Sequence, residues 1–134
     1  GYIMGYTHYW SKVNDITEEH VNAINRIINL YEAETGKKIV NGLREKGTQP
    51  EVSTELIAFN GEEEQGCEAL YLEPGEKSFD CCKTKLRKYD AVVCAVLLYL
   101  EQQDVIEELY SEGDMECSEE WRAAKALLGR ALAQ

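Results

Sequence analysis

The chain has 134 residues, 44% of them hydrophobic, enough for one domain with a core and too apolar for wholesale disorder. Its formal net charge of −11 and isoelectric point near 4.6 oppose direct binding to nucleic acid or to an anionic membrane. A charge of that sign suits a basic protein surface instead.

Gly1-Tyr2-Ile3 read as a remnant ahead of Met4, leaving a single domain over 4–134. Polar aromatics follow Met4 where a secretory signal needs a basic stretch and an apolar run, so a cytoplasmic location is expected. The longest apolar run, 91–100, is ten residues, too short to span a bilayer. The five cysteines, Cys67, Cys81, Cys82, Cys94 and Cys117, lack paired spacing and any Cys-x-x-Cys, so they read as reduced thiols. No metal and no cofactor are expected. Cys94, inside the apolar run, reads as a small buried hydrophobe.

In chain order, residues 6–10 predict a short strand, because aromatics and threonine suit a pleated surface. On it His8 shares a face with Tyr6 and Trp10, while Thr7 and Tyr9 point the other way. A helix is expected from Asp15, with Glu18 completing a capping box. Val21, Ile24, Ile27, Ile28 and Tyr31 recur at helical spacing, Gly36 stops the helix, and 41–54 reads as a loop. Strands follow at 55–60 and 68–72, with Asn60-Gly61 as the hairpin signal and Pro74-Gly75 as the closing turn. Residues 78–84 predict a further short strand, with Phe79 and Cys81 on one face.

The second helix is expected over 89–102, apolar all round and therefore the most buried element. Residues 105–111 read as a strand. Ser118 is the expected cap of the last helix, whose buried stripe is Trp121, Ala124, Leu127, Leu128, Ala131 and Leu132. These elements predict an α+β fold: one small, mostly antiparallel sheet with three helices, the second central and buried.

The opening Met4-Gly5-Tyr6-Thr7-His8-Tyr9-Trp10 resembles a family of small bacteriophage and prophage proteins that begin the same way. The likeness recurs at Phe59-Asn60-Gly61, Phe79-x-Cys81-Cys82-Lys83-Thr84, Tyr89-Asp90 and Ser111-Glu112-Gly113-Asp114, leading to Trp121. Glu112 stands where the family pattern has Asp, and Lys88 where it has proline. The family carries no established activity. The resemblance therefore implies an origin, and a bacterial host cytoplasm as location, rather than a mechanism.

Two site readings follow from the residues. His8 titrates near neutrality when unperturbed and is the leading catalytic candidate, although a structural role for a half-buried histidine outweighs it. His20 reads as plain surface. Lys83, Lys85, Arg87 and Lys88 make the dense basic patch of an acidic protein, beside Tyr89-Asp90. The patch reads either as an anion site or as local balancing of the acidic loops; separately, His8, Lys83 and Asp90 outline the pocket of a small ligand-binding protein or enzyme. Pairing Cys82 as nucleophile with His8 as base has no geometric warrant from sequence. No phosphate-binding loop or nucleophile elbow is present.

The second reading is the charge. Residues 101–120 hold nine Asp or Glu and no Lys or Arg. Glu107, Glu108, Glu112, Asp114 and Glu116 are the expected binding residues, facing a basic host protein. Binding is favoured over catalysis, and the oligomeric state is left open.

Overall fold

The computed structural model describes residues 6–75 and 79–134. Residues 1–3, Met4, Gly5 and Ser78 lie outside them. Strand β1 (Thr7–Val13) leads into helix α1 (Glu18–Thr35). Short strands β2 (Ile39–Val40), β3 (Glu51–Val52), β4 (Ile57–Gly61) and β5 (Leu70–Leu72) follow. Then come β6 (Asp80–Lys83), α2 (Asp90–Gln102), β7 (Ile106–Ser111) and α3 (Glu119–Leu132). The fold is α+β with three helices, as expected, but the described strands form two sheets rather than one. One has the order β6-β1-β7; the other is β2-β4-β3 with β5 also on β4. Every ladder among the described strands is antiparallel.

The two sheets are tied where the chain enters β5 and leaves β6. The Glu68 amide donates to the Lys83 carbonyl at 3.1 Å, and the Tyr89 hydroxyl donates to the Glu68 carbonyl at 2.5 Å. Helix α2 packs on α3, on α1 and on β7, and Val92 to Leu97 are all fully buried. Of its apolar residues only Ala91 and Leu98, on one face, stay partly exposed, close to what an all-round apolar pattern requires. Trp10, Trp121, Tyr89 and Phe59 are the largest wholly buried side chains of the same core. Arg130 of α3 grips Glu34 of α1 with two hydrogen bonds of 2.9 Å. That pair is solvent-exposed, so it contributes little to stability.

Several local expectations change. The first helix is capped by Thr17, whose hydroxyl accepts from the His20 amide while the His20 ring accepts from the Thr17 amide. His20 is thus a buried capping residue and not plain surface. Asp15 lies outside the helix, because Ile16 turns into the core before the cap. Gly36 closes α1 in the left-handed region at φ 71°, as its position predicts.

Asn60 and Gly61 end β4, and the expected hairpin to β5 closes through a connection longer than two residues, as the acidic run after Gly61 implies. The buried Asn60 amide bridges the loop that follows: it donates to the Gly42 and Cys67 carbonyls and accepts from the Gly61 and Cys67 amides. A Cβ on Gly66 would stand 2.2 Å from the Asn60 side-chain oxygen, so this close approach requires glycine. Ser118 occupies the cap position of α3, but its hydroxyl makes no capping bond. Leu132 lies at the exposed margin of the α3 stripe rather than inside it.

Candidate functional site

Alternation along β1 sends Tyr6, His8 and Trp10 into the protein. His8 pairs with Cys82 on β6 and with Ser111 on β7, so those side chains share its face. The helix above this face is α2, and its first turn carries Asp90. The result is a buried polar cluster drawn from β1, β7, α2 and the loop after β6. His8 Nε2 lies 2.7 Å from Asp90 Oδ1, and His8 Nδ1 lies 3.0 Å from the Ser111 hydroxyl. Thr84 Oγ1 donates to the same Asp90 oxygen at 2.5 Å. Cys94, one helical turn beyond Asp90, places Sγ 3.5 Å from Asp90 Oδ2 and 3.5 Å from His8 Nε2.

Aromatic walls seal the imidazole. Tyr6 and Trp121 meet it edge-on, with ring centroids 5.2 and 5.4 Å away. His8 is 0% exposed and Asp90 3%. Tyr6 is itself anchored, donating to Glu120 Oε1 at 2.7 Å, and burial is the main cause of its raised pKa. Gly113 presses against the Tyr6 hydroxyl so closely that a Cβ there would overlap it. This explains a glycine two residues beyond Ser111, whose hydroxyl accepts from the Gly113 amide at 3.2 Å.

Outside this cluster lies a cleft of about 440 Å³ between the N-terminal ends of α2 and α3. Leu86, Arg87, Lys88, Glu119 and Glu120 line it, and Asp90 is part of its wall. His8 and Asp90 therefore do converge, at a sealed pair whose carboxylate borders an open cleft. Lys83 does not join them. It pairs with Thr7, one residue out of step with His8, so its side chain leaves the sheet on the other face.

Neither buried thiol near His8 is poised for nucleophilic chemistry. Burial pushes the pKa of Cys82 and of Cys94 well above the ordinary thiol range, with the Asp90 carboxylate adding to the effect at Cys94. Cys82 Sγ faces the Glu68 and Ala69 carbonyls at 3.6 Å instead of the imidazole. Cys94 is the thiol that reaches His8. Sequence reading missed this, since an apolar run hides one polar contact. The available signal was its i, i+4 spacing from Asp90.

The opposite face of the β6-β1-β7 sheet is open to solvent. Tyr9 stacks on Tyr110 of β7 at 4.8 Å between centroids, and on Phe79 at 5.9 Å. Tyr110 and Phe79 remain 54% and 52% exposed. Three carboxylates fringe the stack. Glu112 accepts from the Tyr9 hydroxyl at 3.5 Å, Glu108 from Ser11 at 3.1 Å, and Glu107 from the Asn14 side chain at 3.2 Å.

A regular strand would bury one of two successive residues. Here the register between β1 and β7 shifts at Ser11, and Glu108 takes φ 54°, so Glu107 and Glu108 both stay outside while Leu109 is buried. The bulge concentrates charge on the aromatic face. Asp114 and Glu116 continue the acidic surface into the loop before α3. Asp114 also braces that loop by accepting from the Glu116 and Cys117 amides, which lowers its pKa. Glu62, Glu63 and Glu64 lie on the β4–β5 connection of the other sheet.

Among the described residues no helix is long and apolar enough to cross a membrane. No protein-family model, no curated protein and no solved structure matches this chain.

Proposed function

We propose that the protein works by binding, through the outer face of the β6-β1-β7 sheet, an arginine-bearing basic segment of another protein. The carrying observation is the exposed Phe79–Tyr9–Tyr110 stack bordered by Glu107, Glu108 and Glu112. Stacked tyrosine faces attract a guanidinium, and a carboxylate beside them accepts its N–H groups in pairs. Asp114 and Glu116 extend the attraction and speed encounter, a steering effect that salt screens over about 8 Å. The phage resemblance makes the partner a protein of the bacterial host, met in its cytoplasm, and the protein an accessory factor that occupies a host surface.

An arginine-rich peptide tests this directly, with affinity read by calorimetry at low and physiological salt. The wild-type protein binds it and prefers it to a lysine-rich peptide of equal charge. Reversing Glu107, Glu108, Glu112 and Glu116 to lysine abolishes binding without changing the fold. Equal affinity of the reversed variant would sink the proposal.

The cleft beside Asp90 favours a second reading, a small anionic ligand held by Arg87 and Lys88. It predicts the reverse ranking. His8→Ala, which disturbs the Asp90 wall, would remove biological effect while the four-lysine variant kept it.

A further inference from the structure

We propose that His8, Asp90 and Cys94 form a binding site for one divalent transition-metal ion, zinc by its donor set. The three offer one imidazole nitrogen, one carboxylate oxygen and one sulfur within 4.8 Å of one another, and all three residues are buried. Such a mixed N, O and S set is the kind zinc accepts. The residues lie far apart in sequence, on β1 and α2, so no short-range spacing announces them.

The geometry fits closely. With Zn–S about 2.3 Å and Zn–N and Zn–O about 2.0 Å, a tetrahedral centre needs S···N and S···O edges of about 3.5 Å. Cys94 Sγ stands 3.5 Å from His8 Nε2 and 3.5 Å from Asp90 Oδ2. Two edges of the tetrahedron are already in place. The direct contact between His8 Nε2 and Asp90 Oδ1, 2.7 Å, gives way as the ion enters.

The surrounding groups hold each ligand in the orientation a metal requires. Ser111 faces Nδ1 at 3.0 Å, and its hydroxyl accepts the Nδ1 proton when Nε2 turns its lone pair to the ion. Thr84 keeps Asp90 Oδ1, leaving Oδ2 for coordination. Hydroxyl or carbonyl partners of this kind usually fix ligand orientation in zinc sites.

Charge closes the argument. Binding expels the Cys94 thiol proton to solvent. One thiolate, one carboxylate, a neutral imidazole and a dication then sum to zero, which a site this deeply buried tolerates. Asp90 stands between the cleft and the site, so the ion enters past its carboxylate.

Cobalt(II) titration of the full-length, chelator-treated protein tests the site. One equivalent should bind and give the sulfur-to-cobalt charge-transfer band with the visible absorption of a tetrahedral ion. Zinc should displace it one for one. Cys94→Ala should lose the band, whereas Cys82→Ala should keep it, and His8→Ala and Asp90→Asn should weaken binding at least tenfold. Should a variant not fold, X-ray absorption on the zinc-loaded wild type decides, with one sulfur at about 2.3 Å and two or three lighter neighbours at about 2.0 Å expected. Absence of a stoichiometric band in the wild type overturns the proposal. So does a band that survives Cys94→Ala, or a zinc spectrum showing two or more sulfurs.

Discussion

Tyr9 and Tyr110 stack across β1 and β7, their ring planes 16° from parallel, on a sheet face where Tyr110 is exposed among the described residues. A cross-strand aromatic pair of this kind contributes under about 1 kcal/mol to folding. Its exposure is better explained by a ligand than by stability. Tyr110→Ala should therefore leave the denaturation midpoint nearly unchanged while weakening an arginine-rich peptide about tenfold, the worth of one cation–π contact. Calorimetry beside urea denaturation reads both quantities. A large loss of stability with intact binding would make the stack structural.

The His8–Asp90 pair behaves in the opposite way. Asp90→Ala strands the His8 ring and the Thr84 hydroxyl in a sealed interior and should cost about 3 kcal/mol. In a double-mutant cycle with His8→Ala the two costs should add to more than the double variant loses, because the residues act on each other. Strict additivity in urea unfolding would show that the contact carries no energy.

Helix α2 is the structural centre. Val93→Asp places an unpaired carboxylate at a wholly buried position, a penalty comparable with the whole stability of a domain this size. Circular dichroism should show no cooperative thermal transition. A native melting curve would mean that α2 can shift its face to solvent.

Stability should fall in alkali. Burial raises the pKa of Cys82 and Cys94 in the folded protein, while an unfolded thiol ionises near about 8.5. The unfolded chain therefore loses those protons first. The contribution is intact below about pH 8.5 and declines above it, by up to about 1.4 kcal/mol per pH unit for each thiol. Tyr6 and Tyr89, raised mainly by burial, add to the decline from about pH 10. Melting temperatures of the chelator-treated protein from pH 7 to 10.5 check this, and Cys82→Ala with Cys94→Ala should flatten the slope up to pH 10. A slope unchanged by those substitutions would assign the alkaline loss elsewhere.

What the sequence made legible was mostly periodic. The α1 stripe, the all-round apolar α2 and the alternation that turns His8 inward beside Tyr6 and Trp10 each follow from spacing alone. Contacts between distant segments were not legible. Asn60-Gly61 carries a hairpin signature, yet the buried amide is held by Gly42 and Cys67, which no local pattern reveals. Cys94 looked like filler because its polar neighbours come from β1 and from one turn back on α2. The bulge at Glu108 was equally hidden. A run of two glutamates suggests a solvated strand edge, and only the register with Ser11 shows why both stay outside.

The most direct measurement maps the bound surface. Backbone and aromatic resonances of the labelled protein are followed as an arginine-rich peptide is added. The largest shifts should fall on Tyr9, Phe79 and Tyr110 and on the amides of Glu107, Glu108 and Glu112, and they should vanish at high salt. Shifts centred instead on Leu86 to Ala91 and Glu119, around the cleft, would contradict binding at the sheet face.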